Sequence, residues 1–131
     1  MPREIIQPEG VFDPRGKYPY EQVCKHGKHV YIAGQLAFDA DGNLVGKGDI
    51  AAQTRQVFKN IEKCLAAVDA TFEDVVKINI YSTDMEAHVP IYAPIRSEYF
   101  NHQNVPSTYV QVSGLVHPDS LIEIETVAIL D

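Results

Sequence analysis

Two carboxylates interrupt an apolar run near the end of the chain, Leu121-Ile122-Glu123-Ile124-Glu125-Thr126-Val127-Ala128-Ile129-Leu130. Such a run reads as a sheet-interior strand, where an unpaired ionised carboxylate is costly. Glu123 and Glu125 stand two residues apart, so on a strand they project to the same face. Glu125 is read as an acceptor of hydrogen bonds or as an ion-pair partner. Glu123 is the catalytic candidate, because a general base needs a desolvated carboxylate. Two further candidates are Arg96, one helical turn after Ala93 and weighed against a solvated surface arginine, and His117, a loop histidine able to titrate near neutral pH. Ser107 follows Pro106 at a strand start and no Gly-x-Ser-x-Gly elbow is present, so a covalent serine mechanism is set aside.

The elements that must position these residues follow from periodicity. Residues 4–19 hold Pro8, Gly10, Pro14, Gly16 and Pro19 and read as an irregular arm over the domain. Tyr20 to Cys24 and Val30 to Gln35 read as a hairpin through the His26-Gly27-Lys28 turn. From about Asp49 to Val68, Ile50, Thr54, Val57, Ile61, Leu65 and Val68 recur at helical steps beside Phe58. Thr71-Phe72-Glu73-Asp74 has the form of a capping box before a strand from Val75 to Thr83, in which Val76, Ile78 and Ile80 are expected on the covered face. A second helix is expected from about Pro90 to Asn101, with Ile91, Ile95 and Tyr99 on one side and both prolines in its first turns. Strands Ser107 to Ser113 and Leu121 to Leu130 complete the order β-β-α-β-α-β-β, an α/β (α+β) domain with two helices on one face of a mixed sheet. In the first of these, Thr108, Val110 and Val112 alternate with Ser107, Tyr109, Gln111 and Ser113. With the first set on the helices, the second faces outward, toward a wet subunit boundary where a small ligand lies.

The 131 residues fit a single domain, 1–131, and 45% hydrophobic with 22% charged residues is ordinary globular composition. The net charge of −7, with no basic cluster, argues against nucleic acid as a partner. No apolar run approaches a membrane span, and Met1-Pro2-Arg3-Glu4 lacks a signal-peptide core, so no membrane partner and a cytoplasmic location are expected. Cys24 and Cys64 match no metal spacing and are read as buried free thiols, with no disulfide framework. Asp39 to Asn43 has its glycine in the fourth place of a calcium-type loop and no glutamate at the twelfth, so it is read as an Asp-Gly turn with no metal.

Taken in order, Tyr18-Pro19-Tyr20, Tyr31-Ile32-Ala33-Gly34-Gln35, Asp49-Ile50-Ala51-Ala52-Gln53-Thr54-Arg55 and Ile122-Glu123-Ile124-Glu125-Thr126-Val127-Ala128 resemble the RidA (YjgF) family over almost the whole chain. The resemblance implies a chorismate mutase-like fold and a homotrimer with a central barrel and ligand clefts between neighbours. It also implies hydrolysis of 2-imino or enamino acids to 2-keto acids and ammonia, with no metal or organic cofactor. Glu123 matches the glutamate that positions water, Tyr20 the cleft tyrosine, and Gly34 the glycine whose backbone approaches the ligand.

The departures are equally specific. Ser107 falls where the family's carboxylate-binding arginine stands, Tyr109 where a cysteine is common, Ala93 in place of an asparagine and Ala33 in place of a serine. A serine cannot supply the bidentate charge-assisted pair of an arginine. The expected activity is therefore deaminase-like hydrolysis of an imine, enamine or related small nitrogenous compound. Tyr20 and Tyr109 would wall the cleft, and backbone at Gly34, Ser107 and Tyr109 would hold the polar end. The alternative from another class is a non-catalytic trimer that binds a small ligand. An RNA-directed nuclease or translation inhibitor conflicts with the acidic balance.

Overall fold

In the computed structural model, which describes residues 2–131, local capping sets where each helix begins. The Asp49 carboxylate accepts the Ala52 N–H at 3.0 Å and starts α1, Ile50–Ala66. Its buried stripe holds Thr54, Val57, Phe58, Ile61, Cys64 and Leu65, close to the periodic set expected. The Thr71 box forms with Asp74 and opens a short 3-10 turn, Phe72–Asp74. Asp84 caps the Ala87 N–H and starts α2, Met85–Tyr99, a full turn before Pro90.

Pro90 and Pro94 thus lie inside α2 rather than in its first turns. Both sit on the exposed side, where water satisfies the carbonyls their missing N–H groups leave unpaired. The buried side carries His88, Tyr92, Ile95 and Arg96, whereas Ile91 is turned out to solvent. Starting the helix earlier does not alter its period; the aromatic neighbours in the core select the side that faces inward. Phe58 is stacked on Tyr92 and Tyr99 and meets the edges of Phe72 and Phe100, which joins α1 to α2.

The strands are β1 (Glu4–Ile6), β2 (Val23–His26), β3 (His29–Gln35), β4 (Val75–Ser82), β5 (Ser107–Gln111) and β6 (Ile122–Ile129). They form one sheet in the order β1-β2-β3-β6-β4-β5, with β4 and β5 the parallel pair, joined through α2 as a parallel crossover requires. The β2–β3 hairpin forms through the expected turn, but β2 begins at Val23, which leaves Tyr20 in the arm rather than in the strand. Strand β1 is an addition: Glu4 to Ile6 pair with Lys25 to Val23 before the prolines of the arm end regular structure. The Asp39 segment is a turn, its carboxylate accepting the Asp41 and Asn43 N–H groups and Gly42 taking a positive φ.

Two facing expectations fail. In β4 the register against β6 shifts between Val75 and Lys77, and the irregularity turns Val76 outward, leaving Ile78 and Ile80 on the core. In β5 the faces are reversed. Ser107 pairs with Ile78 and Tyr109 with Ile80, so Ser107 and Tyr109 share the helix side, where the Tyr109 ring meets Tyr92 edge-on at 5.3 Å between centroids. Thr108 and Val110 take the open side; Thr108 accepts from Lys77 Nζ at 2.7 Å and Val110 stays exposed. On an edge strand beneath a helix, filling the space under α2 with a tyrosine outweighs hiding a valine. Both cysteines are free thiols, Cys24 half-buried in β2 and Cys64 buried in α1. No helix is long and apolar enough to cross a membrane among the described residues.

Phe58 has no exposed surface and touches aromatic rings from α2 and the 3-10 turn. Phe58→Ala is expected to cost about 3–5 kcal/mol of stability by cavity formation, read from the urea midpoint at unchanged slope.

Candidate functional site

Strand β6 alternates without a break: Ile122, Ile124, Thr126 and Ala128 are buried on the helix side, while Glu123 and Glu125 are half-buried on the open side. The two carboxylates then diverge. Glu125 accepts from Asn79 Nδ2 at 2.8 Å and from the Tyr81 hydroxyl at 2.6 Å, so it is the hydrogen-bonded partner expected. Glu123 has no hydrogen-bond donor or cation bonded to it among the described residues. Burial raises its pKa above the ordinary carboxylate range, and the neighbouring charge of Glu125 adds to the rise.

What Glu123 packs against is backbone. The β3–β6 ladder shifts register between Ile32 and Gln35, and the irregularity brings Gly34 beneath the carboxylate. A Cβ at Gly34 would fall 2.7 Å from Glu123 Cδ and closer still to Oε2. Glycine is therefore required here for space, so that the backbone can approach the acid. Around the pair lies a cavity of about 350 Å³, walled by Tyr18, Tyr20, Ala33, Leu36 and Val116. Burial and the nearby Glu123 charge both raise the pKa of Tyr20, which keeps the phenol protonated and able to donate.

Four buried amides hold the backbone of this cavity in place. Gln53, buried on α1, donates to the Gly46 and Asp119 carbonyls at 3.1 and 3.0 Å and accepts the Leu121 N–H at 2.8 Å, fixing the approach to β6. Two turns on, Asn60 donates to the Leu36 and Phe38 carbonyls and fixes the exit from β3. Gln35 donates to Gln22 Oε1 at 2.7 Å, and Gln22 donates to the Phe12 carbonyl, which anchors the arm before Tyr18 and Tyr20. Sequence reasoning gave these residues no role. Their signal is a pair of amides, seven apart, inside the apolar stripe of an amphipathic helix.

Ser107 and Tyr109 line a second cavity of about 300 Å³, with Ala93, Arg96, Asn104 and Val105. The Tyr109 hydroxyl is turned inward and buried, so its ring, not its O–H, forms the wall. Arg96 is 8% exposed and is therefore not a solvated surface arginine. Its guanidinium lies 4.6 Å from the centroid of Phe100, and Nη1 reaches Asn104 Oδ1 at 3.5 Å. His117 lines neither cavity; its Nδ1 accepts the Asp119 N–H at 3.0 Å and its ring meets the face of Phe38, which makes it a loop fastener.

Tyr20, Gly34 and Glu123 are thus brought together, and so are Ser107, Tyr109 and Arg96, but the two groups are not brought to each other. Glu123 pairs with Tyr81 on the open side of the sheet, whereas Ser107 and Tyr109 pair with Ile78 and Ile80 on the helix side. Partners in register share a face, so within one protomer the two halves point away from each other. Among the described residues no three His, Cys, Asp or Glu side chains converge as a metal cluster.

A family model described as Endoribonuclease L-PSP matches residues 13–130. The 3-aminoacrylate deaminase RutC of Acinetobacter baylyi is 39% identical over 128 residues, covering 98% of each chain. A RutC family protein of Pyrococcus horikoshii is 38% identical over 126 residues, covering 96% of this chain and 97% of that one. The crystal structure of RidA from an Antarctic Psychrobacter superposes with a TM-score of 0.86 at 30% identity, over 97% of this chain and 99% of that one. With a family model matched over residues 13–130 and relatives 38–39% identical over nearly the whole chain, the chain belongs to the Endoribonuclease L-PSP family, in which RidA and RutC proteins also stand.

Proposed function

We propose that the protein is a deaminase-like hydrolase of carbon–nitrogen double bonds, acting on an imine or enamine of a small metabolite in a cleft completed by a second copy of the chain. The observation that carries the reading is the desolvated, unpaired carboxylate of Glu123, packed on Gly34 in a cavity of metabolite size. A raised pKa makes the ionised carboxylate a stronger proton acceptor for water. An enamine first takes a proton on carbon and gives one up from nitrogen to become the imine. Water then adds to the C=N carbon as Glu123 accepts its proton, and nitrogen is protonated. The resulting carbinolamine breaks its C–N bond, releasing ammonia and leaving a C=O group. No step requires a metal or an organic cofactor.

The naming of a close relative as 3-aminoacrylate deaminase supports an enamine as the type of substrate. A net charge of −7 weighs against RNA, whose phosphates need neutralising cations. The opposed faces of the two half-sites support a homo-oligomer in which one copy offers Glu123 and its neighbour the cavity at Ser107, and a ring of three would repeat that contact.

Ammonia release from imines and enamines generated in situ is the direct assay. Glu123→Gln should lower turnover at least on the order of a hundredfold, the usual scale of a lost general base. Equal release by wild type and variant over every substrate would overturn the reading. Gly34→Ala, by pushing the carboxylate aside, should cost on the order of a hundredfold in the same assay at near-normal stability.

Stability against pH tests the desolvation itself. The folded pKa of Glu123 lies above its unfolded value, so its contribution is fully present below the ordinary carboxylate range and is lost as pH rises through the raised value. Relative to wild type, Glu123→Gln should therefore gain Tm as pH rises through that window and then level off. A Tm difference independent of pH would show that the carboxylate titrates normally.

A further inference from the structure

We propose that Arg96 is the anion-binding residue of this cleft, and that the substrate accordingly carries a carboxylate held from helix α2 rather than from strand β5. The proposal rests on the hydrolase reading above for the identity of the cleft, and its test separates the two.

Arg96 is the one buried Lys, Arg, Asp or Glu among the described residues. A buried guanidinium ordinarily has a carboxylate partner, because removing the charge from water otherwise goes uncompensated. The two arginines that do have acidic partners are both exposed: Arg15 pairs with Asp13, and Arg55 with Glu98. No carboxylate lies within ion-pair distance of Arg96 among the described residues. Its one side-chain hydrogen bond is the long contact from Nη1 to Asn104. The face of Phe100 supports the guanidinium plane, and this aromatic contact orients the group while leaving most of its N–H donors unused.

The unused donors border a cavity. Ala93, Ser107 and Val105 are small at its rim, so a ligand can reach Arg96 past side chains that do not block it. A fixed, planar fork with free N–H groups fits a carboxylate in bidentate fashion. Ser107, at the sheet edge, spends its hydroxyl on the Val105 carbonyl at 2.9 Å, so it offers no competing donor. Substrate charge and cavity charge then match: the single buried cation awaits the single anionic end.

The experiment uses the full-length protein and two readouts. Pyruvate and its neutral amide are added in a thermal-shift series to wild type, Arg96→Met, Arg96→Lys and Glu123→Gln. The expected result is a Tm rise with pyruvate and none with the amide, for wild type and Glu123→Gln alike. Arg96→Met should lose the rise, and Arg96→Lys, lacking the planar fork, should need a concentration on the order of tenfold higher. In the ammonia assay, Arg96→Met should raise KM for an acid substrate on the order of ten- to a hundredfold with kcat little changed, the mark of lost uniform binding. If Arg96→Met is too unstable to assay, Arg96→Lys and Asn104→Ala carry the comparison; a pyruvate response equal to wild type in both overturns the proposal. So does an equal response to pyruvate and its amide, or no response in wild type. Loss of ammonia release with Arg96-dependent pyruvate binding retained overturns the hydrolase reading and leaves the arginine assigned.

Discussion

The contact between the Glu123 carboxylate and the Gly34 backbone is the constraint on which the rest of the arrangement turns. It requires β3 and β6 to be neighbours, and it requires the β3 ladder to be broken where Gly34 sits. It also requires β6 to keep strict alternation, since a slip of one residue would bury both glutamates under the helices and expose Ile122 and Ile124. Ile122, Ile124, Thr126 and Ala128, all buried on the helix side, pin that register. A carboxylate placed against backbone in this way has exchanged much of its water for an apolar wall, which is why its proton affinity rises.

Such a site needs a rigid frame, because a carboxylate free to swing would regain its solvent. The frame is helix α1 read through its amides. Gln53 and Asn60 are buried among Val57, Phe58 and Ile61, and each bonds to backbone outside the helix. Hydrogen bonds from a buried amide to fixed carbonyls are costly to leave unmade, so the loops on either side of the cavity are tied to the core. The stack around Phe58 then ties α1 to α2.

Much of this was legible in the sequence, and the failures share a cause. The capping residues Asp49 and Thr71, the stripe of α1, the hairpin and the exceptional position of Glu123 depend on local chemistry and period, which a linear reading captures. The faces of β5 were not legible, because alternation states which residues go together and not which way they go. Val110 looked like core and Tyr109 like surface until α2 supplied a tyrosine for Tyr109 to meet. Val76 was misplaced by an irregularity that no residue type announces. Ile91 and Arg96 exchanged expected roles because helical period states which residues share a side while the aromatic core decides which side turns inward: Tyr92 stacks on Phe58, and that places Arg96 inward and Ile91 outward.

The reversal in β5 changes how the site must be assembled. With Ser107 and Tyr109 on the same face as Glu123, one sheet surface would hold both water and substrate. With the two on opposite faces, a single protomer holds two incomplete cavities, one with a carboxylate lacking a cation and one with a cation lacking a carboxylate. Direct pairing of these charges would quench both, and the sheet between them prevents it within a protomer. In the assembly proposed above, a ligand bridging two copies would meet the cation with its acid end and present its C=N carbon to water at the glutamate. The separation that leaves each half unpaired alone is then what keeps both available for a ligand.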